Sequence, residues 1–358
     1  MPNVLITGGG HVGAAAGRLF AEKNYKVIFY DVLKAPPAAT ADFILKLKDK
    51  IVFVKGDILD YDFLLKTVEK YKIEGIVHTA LYGCKESSTR TISSFRDNIY
   101  PNIDIVENIL EIARLKKLKV IDISSIVVYG AAVSSGKWPL DKPITEEDVA
   151  QMFPMAPAGP FDSPNFSTGC VMKRITEELT TFYFQEYGVH ACSLRLGDVY
   201  GPMDTHINMI PIMIRCALAG KTLEIPYGAD HVDSHTYNKD AAEAIFSAFT
   251  ANPLKRSVYN ITGGRNWRME ETASEVMTAI PGSVIKLGPG MIPGGFYGIS
   301  YVRPPISVKA AQAELGYKVT PLGRGIKETA EWIKNNWDFI PRGYYDLLPD
   351  YMQSRSFK

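Results

Sequence analysis

The chain has 358 residues, with 40 Lys+Arg against 39 Asp+Glu and 46% hydrophobic residues. That length suits one large domain or two intimate ones and holds enough apolar material for a sizeable core. A net charge of +1 lacks the basic excess of a nucleic-acid or anionic-membrane binder, which leaves a soluble protein acting on small molecules.

In chain order, residues 4–6 form a short apolar strand and 12–22 carry helical patterning. Residues 26–30 are again apolar and end at Asp31. Residues 51–54 read as a third strand, 60–71 as a helix and 73–78 as a fourth strand. In 99–114 apolar residues recur at a spacing of three or four (Ile103, Val106, Ile109, Leu110, Ala113), which predicts a helix. Strands are predicted at 120–124 and 191–196. Alternation of this kind predicts an α/β fold, a Rossmann-type doubly wound parallel sheet.

Beyond Gly201-Pro202 the alternation loosens. Helical stretches at 207–219, 240–250, 269–278 and 322–336 are separated by Gly/Pro-rich connections. The expected organisation is an NAD-binding domain of residues 1–200 plus about 232–262, and a smaller mixed substrate domain of 201–231 and 263–358. The aromatic tail from Phe339, with Tyr344, Tyr345 and Tyr351, is expected to pack on the body or on a partner subunit.

Cys84, Cys170, Cys192 and Cys216 are scattered without a CxxC spacing, so reduced thiols and a reducing compartment are expected. No apolar run reaches membrane-spanning length and the first residues lack a signal-peptide pattern, which makes the cytoplasm the expected location. His206, His231 and His235 with Asp230 and Asp233 fit no standard zinc spacing, and no metal is expected.

Gly8-Gly9-Gly10-His11-Val12-Gly13 follows the first strand and opens the first helix. Glycines in that context allow a tight turn and close approach of a pyrophosphate to the helix N-terminus. Gly8, Gly10, His11, Val12 and Gly13 are thus candidate cofactor-binding residues, with His11 a packing residue rather than a catalyst. Asp31 stands where a carboxylate accepts hydrogen bonds from the adenosine ribose and repels a 2′-phosphate, so NAD is favoured over NADP.

These motifs make the sequence resemble the extended short-chain dehydrogenase/reductase family of the NAD-dependent epimerase/dehydratase type, over nearly the whole chain. By that resemblance Asp57 and Ile58 contact the adenine and Thr79-Ala80 flank the cofactor. Asn102 matches the structural Asn of the catalytic tetrad, and Ser125, four residues before Tyr129 in the SSxxxYG strand end, matches the catalytic Ser. Residues 194–202 resemble LRxxNVYGP, residues 259–264 the YNxGgG strand, and 314–317 a late turn of the family. A homodimer through helices near 99–114 and 173–187 is implied.

Four departures stand out. The glycine loop is one residue shorter than TGxxGxxG. The YxxxK motif reads Gly169-Cys170-Val171-Met172-Lys173, so Lys173 is kept, able to hold the nicotinamide ribose, while Gly169 occupies the tyrosine position. General acid/base help of roughly 10²–10⁴-fold must then come from elsewhere, with Asp198 and His235 as substitutes from the substrate cleft. Residues 149–164 (including Met152, Phe153, Met155 and Phe161) form an unusually long insert, an apolar lid or a packed excursion. The family's diphosphate-gripping Arg falls on Asp233, and Ile126-Val127 replace the Asp-Glu pair of sugar 4,6-dehydratases.

Three functions are compatible with these residues. The first is NAD-dependent hydride transfer at a hydroxyl or ketone of a non-nucleotide small molecule. The second is epimerisation, dehydration or cleavage with NAD held and used transiently. The third is a non-catalytic NAD(H)-binding sensor or scaffold.

Overall fold

The computed structural model describes residues 1–33, 47–82, 95–129, 139, 141–148, 164–204, 208–292 and 304–337; for 95–98 and 164–168 it describes the backbone alone. Cys84, Gly130, His206, the insert up to residue 163 and the tail from 338 lie outside the described residues.

Short apolar runs bounded by glycines and charged residues become strands β1 (Asn3–Thr7), β2 (Lys26–Asp31), β3 (Ile51–Lys55), β4 (Gly75–His78), β5 (Lys119–Ser125) and β6 (Ala191–Leu196). The intervening helices are α1 (His11–Glu22), α2 (Tyr61–Lys70), α3 (Phe95–Lys116) and α4 (Pro164–Glu186). A short 3₁₀ turn, Ile126–Tyr129, follows β5. After β6 come β7 (Asp198–Tyr200), α5 (Met209–Leu218), β8 (Leu223–Gly228), β9 (Val232–Asp233), β10 (His235–Tyr237), α6 (Asn238–Thr250) and β11 (Val258–Ile261). The chain continues through β12 (Trp267–Arg268), α7 (Met269–Ala279), β13 (Ile285–Gly288), α8 (Lys309–Leu315) and α9 (Leu322–Asn335).

Seven strands make one sheet in the order β11-β6-β5-β4-β1-β2-β3. Every pairing in it is parallel. A parallel sheet is covered on both faces, which is why its strands read as continuous apolar runs. One face packs on α1 and α6, where Phe20 meets Tyr25, Phe246 and Phe249 edge-on at 5.1 Å between ring centroids. The other packs on α2, α3 and α4 through Leu64, Ile105, Ile109, Leu110 and Tyr183. Strand order reverses between β1 and β4, and ligands of such sheets bind outside the carboxyl ends of the strands at that reversal.

A second core gathers α5, α7 and α9 against β8 and β13, around Met213, Ile214, Val276, Ile326 and Ile333. Residues 308–317 sit elsewhere: Val308, Ala311, Leu315 and Tyr317 join the core of the large sheet. Arg256 and Tyr259 hold them there, with Arg256 Nη2 donating to Glu314 Oε1 at 2.7 Å and Tyr259 OH to Glu314 Oε2 at 2.9 Å. Among the described residues no helix is long and apolar enough to cross a membrane.

Candidate active site

The turn from β1 into α1 is built by two close approaches. Gly8 has φ +85°, a left-handed value that a side chain resists, and a Cβ there would lie 3.0 Å from the backbone of Ala80. A Cβ on Gly13 would lie 2.2 Å from the Gly8 carbonyl oxygen and 2.7 Å from Thr79 Oγ1. Thr79 Oγ1 donates to Thr7 O at 2.7 Å, tying the end of β4 to that of β1. Gly10, by contrast, has no described residue within 4 Å of its side-chain position, and α1 starts without a side-chain cap among the described residues. Uncapped first-turn amides beside open space are what a pyrophosphate needs. The glycine loop therefore fits a dinucleotide despite its missing residue.

Asp31 closes the loop from the end of β2. Its Oδ2 accepts from Gly9 N at 2.8 Å and its Oδ1 from Leu33 N at 3.1 Å. Beyond β3, Asp57 Oδ1 accepts from Leu59 N at 3.0 Å, and Asn108 Nδ2 donates to Ile58 O at 3.1 Å. Tyr30 OH donates to Asp57 O at 3.0 Å, packing this turn against β2. The predicted cofactor residues Gly8, Gly10, His11, Val12, Gly13, Asp31, Asp57, Ile58, Thr79 and Ala80 thus fall along the carboxyl ends of β1, β2, β3 and β4.

Ser125 ends β5, and its Oγ accepts from Val127 N at 3.3 Å. Its neighbour Ser124 turns the other way and donates to Glu177 Oε1 at 2.6 Å. Glu177 is locked by Arg195, whose Nε and Nη2 reach the two carboxylate oxygens at 2.9 and 2.7 Å. Arg195 Nη1 also donates to Tyr129 OH at 2.6 Å, and Tyr129 OH to Asn260 Oδ1 at 2.7 Å. This buried network pins β5, β6, β11 and α4 to one another, leaving Ser125 as the hydroxyl at the strand end. Asn102 clamps the chain after β4 instead, accepting from Tyr82 N at 2.8 Å and donating to Tyr82 O at 3.2 Å.

Lys173, on α4, donates from Nζ to Ile123 O at 2.6 Å. Among the described residues, nothing outside its own helix lies within 4 Å of the place a Cβ on Gly169, one turn earlier, would take.

Beyond β6 the chain brings titratable side chains to the edge of the sheet. Ser125 pairs with Leu196 across β5 and β6, and Asp198 follows two residues after Leu196, at the start of β7. Asp198 N donates to Ser234 O at 2.9 Å, and β7 pairs with β10. His231 Nε2 lies 3.5 Å from Asp233 Oδ2. Burial opposes ionisation of Asp233, but hydrogen bonds from His231 and Asp198 with the fields of His231 and His235 outweigh it and hold this carboxyl below the usual range. His235 is engaged elsewhere, its Nε2 3.2 Å from Thr272 Oγ1. His11 Nδ1 faces Asp204 Oδ1 at 3.9 Å, linking the glycine loop to the segment after β7. Among the described residues no group of three or more His, Cys, Asp or Glu could hold a metal ion.

Asp122, Glu177, Arg195 and Asp204 were not anticipated from the sequence. Asp122 and Arg195 leave a local trace, as charged residues inside buried strands.

Fold and site together define a Rossmann-type dinucleotide-dependent enzyme. Residues 4–262 match the NAD dependent epimerase/dehydratase family, and the chain belongs to that family. It is an NAD-dependent enzyme of the short-chain dehydrogenase/reductase superfamily, and its cofactor is NAD. Over 376 aligned residues it is 25% identical to dTDP-glucose 4,6-dehydratase of Neisseria meningitidis serogroup B, covering 97% of this chain and 98% of that one. Among solved structures its fold matches dTDP-glucose 4,6-dehydratase from Bacillus anthracis in complex with NAD, with TM-score 0.73 and 22% identity over 95% of this chain and 99% of that one. It also matches UDP-glucose 4-epimerase from Thermotoga maritima with UDP-glucose, at TM-score 0.72 and 21% identity over 94% and 99% of the two chains. These relatives are enzymes, and the sensor reading is set aside.

Proposed function

We propose that the enzyme moves hydride at a secondary alcohol or ketone of a small molecule that carries no nucleotide diphosphate, without a tyrosine one turn before Lys173. The observation that carries this reading is Gly169, one turn before Lys173: no described residue outside its own helix comes within 4 Å of the place where the resembling family's phenol would begin. NAD, when bound, supplies the hydride acceptor or donor. Ser125 would hydrogen-bond the reacting oxygen from the end of β5, and Lys173 would hold the nicotinamide ribose from α4. Asn102 keeps the loop after β4 in place through Tyr82 rather than touching substrate. The proton is left to substrate, water or the Asp198–Asp233 pair at the cleft, with His235 less suited because Thr272 engages it.

The buried anion of Asp233 supports a phosphate-free substrate, since a diphosphate brought beside it would meet like charge. Ile126 and Val127, in the turn after Ser125, offer no acid or base for a sugar 4,6-dehydration. The relatives' names favour a second reading, in which NAD is reduced and reoxidised within one turnover to give epimerisation or dehydration. A homodimer through α3 and α4 fits the exposed Tyr100, Leu115, Phe182 and Tyr187 on those helices. The free thiols Cys170, Cys192 and Cys216 fit a reducing, cytoplasmic setting.

The test is turnover of a panel of phosphate-free secondary alcohols and, in parallel, of nucleotide-diphosphate sugars, followed by product analysis and by nicotinamide absorbance. Product from the first group with matching NADH is the expected result. Product without net NADH selects the second reading. Turnover of the nucleotide sugars alone, or of neither group, overturns the proposal.

A further inference from the structure

Helix α1 starts without a side-chain cap among the described residues, at the end where a pyrophosphate would sit. A local cap would take up the first-turn amides that such a ligand uses. The start of the helix is instead held from outside, by Asp204. His11 is the first residue of α1, and its Nδ1 faces Asp204 Oδ1 at 3.9 Å. The Asp204 side chain has no exposed surface, and that of His11 keeps 13%. The separation is longer than a hydrogen bond but short for an electrostatic contact out of water. A carboxylate so placed draws the ring proton to the nitrogen it faces.

Asp204 is itself set by a strained turn. Met203 has φ +69° and Gly201 φ +147°. A methionine in the left-handed region persists only where its surroundings over-determine it. Here Asn238 Nδ2 donates to Pro202 O at 2.5 Å, Asp204 N to Gly201 O at 3.2 Å and Asn208 Nδ2 to Val199 O at 3.0 Å. The buried Arg215, on α5, donates from Nη2 to Asp204 O at 3.0 Å. Helix α5 belongs to the second core, so this turn ties that core to the glycine loop of the large sheet.

We infer that Asp204 is a positioning residue for the cofactor. Its buried carboxylate grips His11 from the side of the second core and so holds the first turn of α1, with its uncapped amides, in place for the pyrophosphate. The grip works in both directions: NAD bound at the first turn fixes His11, and through it the turn 201–204 that leads into the second core.

The test uses the full chain with His11→Gln, Asp204→Asn and the double variant. Asp204→Asn keeps the shape and removes the charge. His11→Gln sits at a partly exposed position and keeps the test open if the buried site does not tolerate asparagine. NADH is titrated by fluorescence, and ADP and adenosine by displacement of NADH. Each single variant is expected to weaken NADH and ADP about tenfold and to leave adenosine unchanged, because adenosine carries no phosphate for the first turn to hold. The double variant is expected to bind no more weakly than His11→Gln, since Asp204 acts only through His11. A residue that merely supports the fold would weaken adenosine as well, or the two losses would multiply. Either result overturns the inference, as does unchanged ADP binding in His11→Gln. Hydrogen exchange of residues 201–204 gives a second readout. Saturating NADH is expected to slow it in the wild type and not in His11→Gln, and equal slowing in both overturns the coupling. The inference rests on the glycine loop as the seat of the pyrophosphate, which Gly10→Ala tests separately: normal ADP affinity there overturns the seat, and the grip with it.

Discussion

Gly169 and Lys173 lie four residues apart on α4 and therefore share one face of the helix. The lysine is anchored on the end of β5, and no described residue outside the helix lies within 4 Å of the glycine's absent Cβ. A glycine inside a helix costs about 1 kcal/mol relative to alanine. Gly169→Ala is therefore expected to stabilise the protein by about that amount in urea unfolding, since nothing obstructs the added methyl. Gly169→Tyr is expected to fold as well, yet to slow the native reaction at least tenfold as its ring takes the space the substrate uses. A tyrosine variant that turns over faster than the wild type would show that the gap is a lost function rather than a substrate pocket.

The central sheet could be read from the sequence because each strand is buried on both faces and so appears as an uninterrupted apolar run between punctuating residues. The glycine loop was legible for a related reason: only glycine tolerates the contacts at positions 8 and 13. Helix α3 begins at Phe95, four residues before its apolar periodicity, and continues through Pro101. Periodicity marks the face a helix buries, not its ends. The pairings of 198–200 with 235–237 and of 232–233 with 267–268 left no local pattern, because strands of two or three residues are set by segments far apart in the chain. The same holds for the site. Ser125 and Lys173 stand in recognisable motifs, whereas the bond from Lys173 to the carbonyl of Ile123 depends on how α4 packs against β5. The placement of 308–317 on the large core likewise depends on Arg256 and Glu314, which are 58 residues apart.

Asp31 is expected to set cofactor choice. Its carboxylate takes the amides of Gly9 and Leu33 and places a negative charge at the end of β2. A hydrogen bond to a charged group contributes about 1.5–3 kcal/mol. Asp31→Asn should therefore weaken NADH binding by roughly tenfold or more and narrow its preference over NADPH, both read by fluorescence titration. An unchanged ratio of the two affinities would mean that the adenosine ribose lies elsewhere.

Gly13→Ala tests the cradle itself. The new methyl would sit 2.2 Å from the Gly8 carbonyl oxygen, a contact that real side chains do not make. The loop must open, at a cost of about 1–3 kcal/mol for overpacking. Loss of NADH binding is expected together with a lower unfolding midpoint. Gly10→Ala, where the side-chain position is open in the protein, is expected to keep the midpoint and still lose NADH affinity, because the methyl occupies room meant for the pyrophosphate. If Gly10→Ala binds NADH normally, the phosphates do not pass that point.

His78 predicts how acid unfolds the protein. It is fully buried against Thr7, and burial, reinforced by the positive charge of Lys173, lowers its pKa from 6.5 to about 3. In the unfolded chain the same imidazole takes up a proton near pH 6.5. Between those values the unfolded state binds a proton that the native state refuses, so stability rises with pH across that window and falls as pH drops through it. Below the native value both states are protonated and the slope ends. The loss is about 1.4 kcal/mol for each pH unit while the full proton difference persists. His78→Asn removes the titration and keeps a group that can hydrogen-bond Thr7. Urea-unfolding free energies measured from about neutral pH down to about pH 4 should therefore converge for the variant and the wild type as acid is added. Parallel lines with no convergence would mean that His78 takes up its proton as readily in the folded protein as in the unfolded chain.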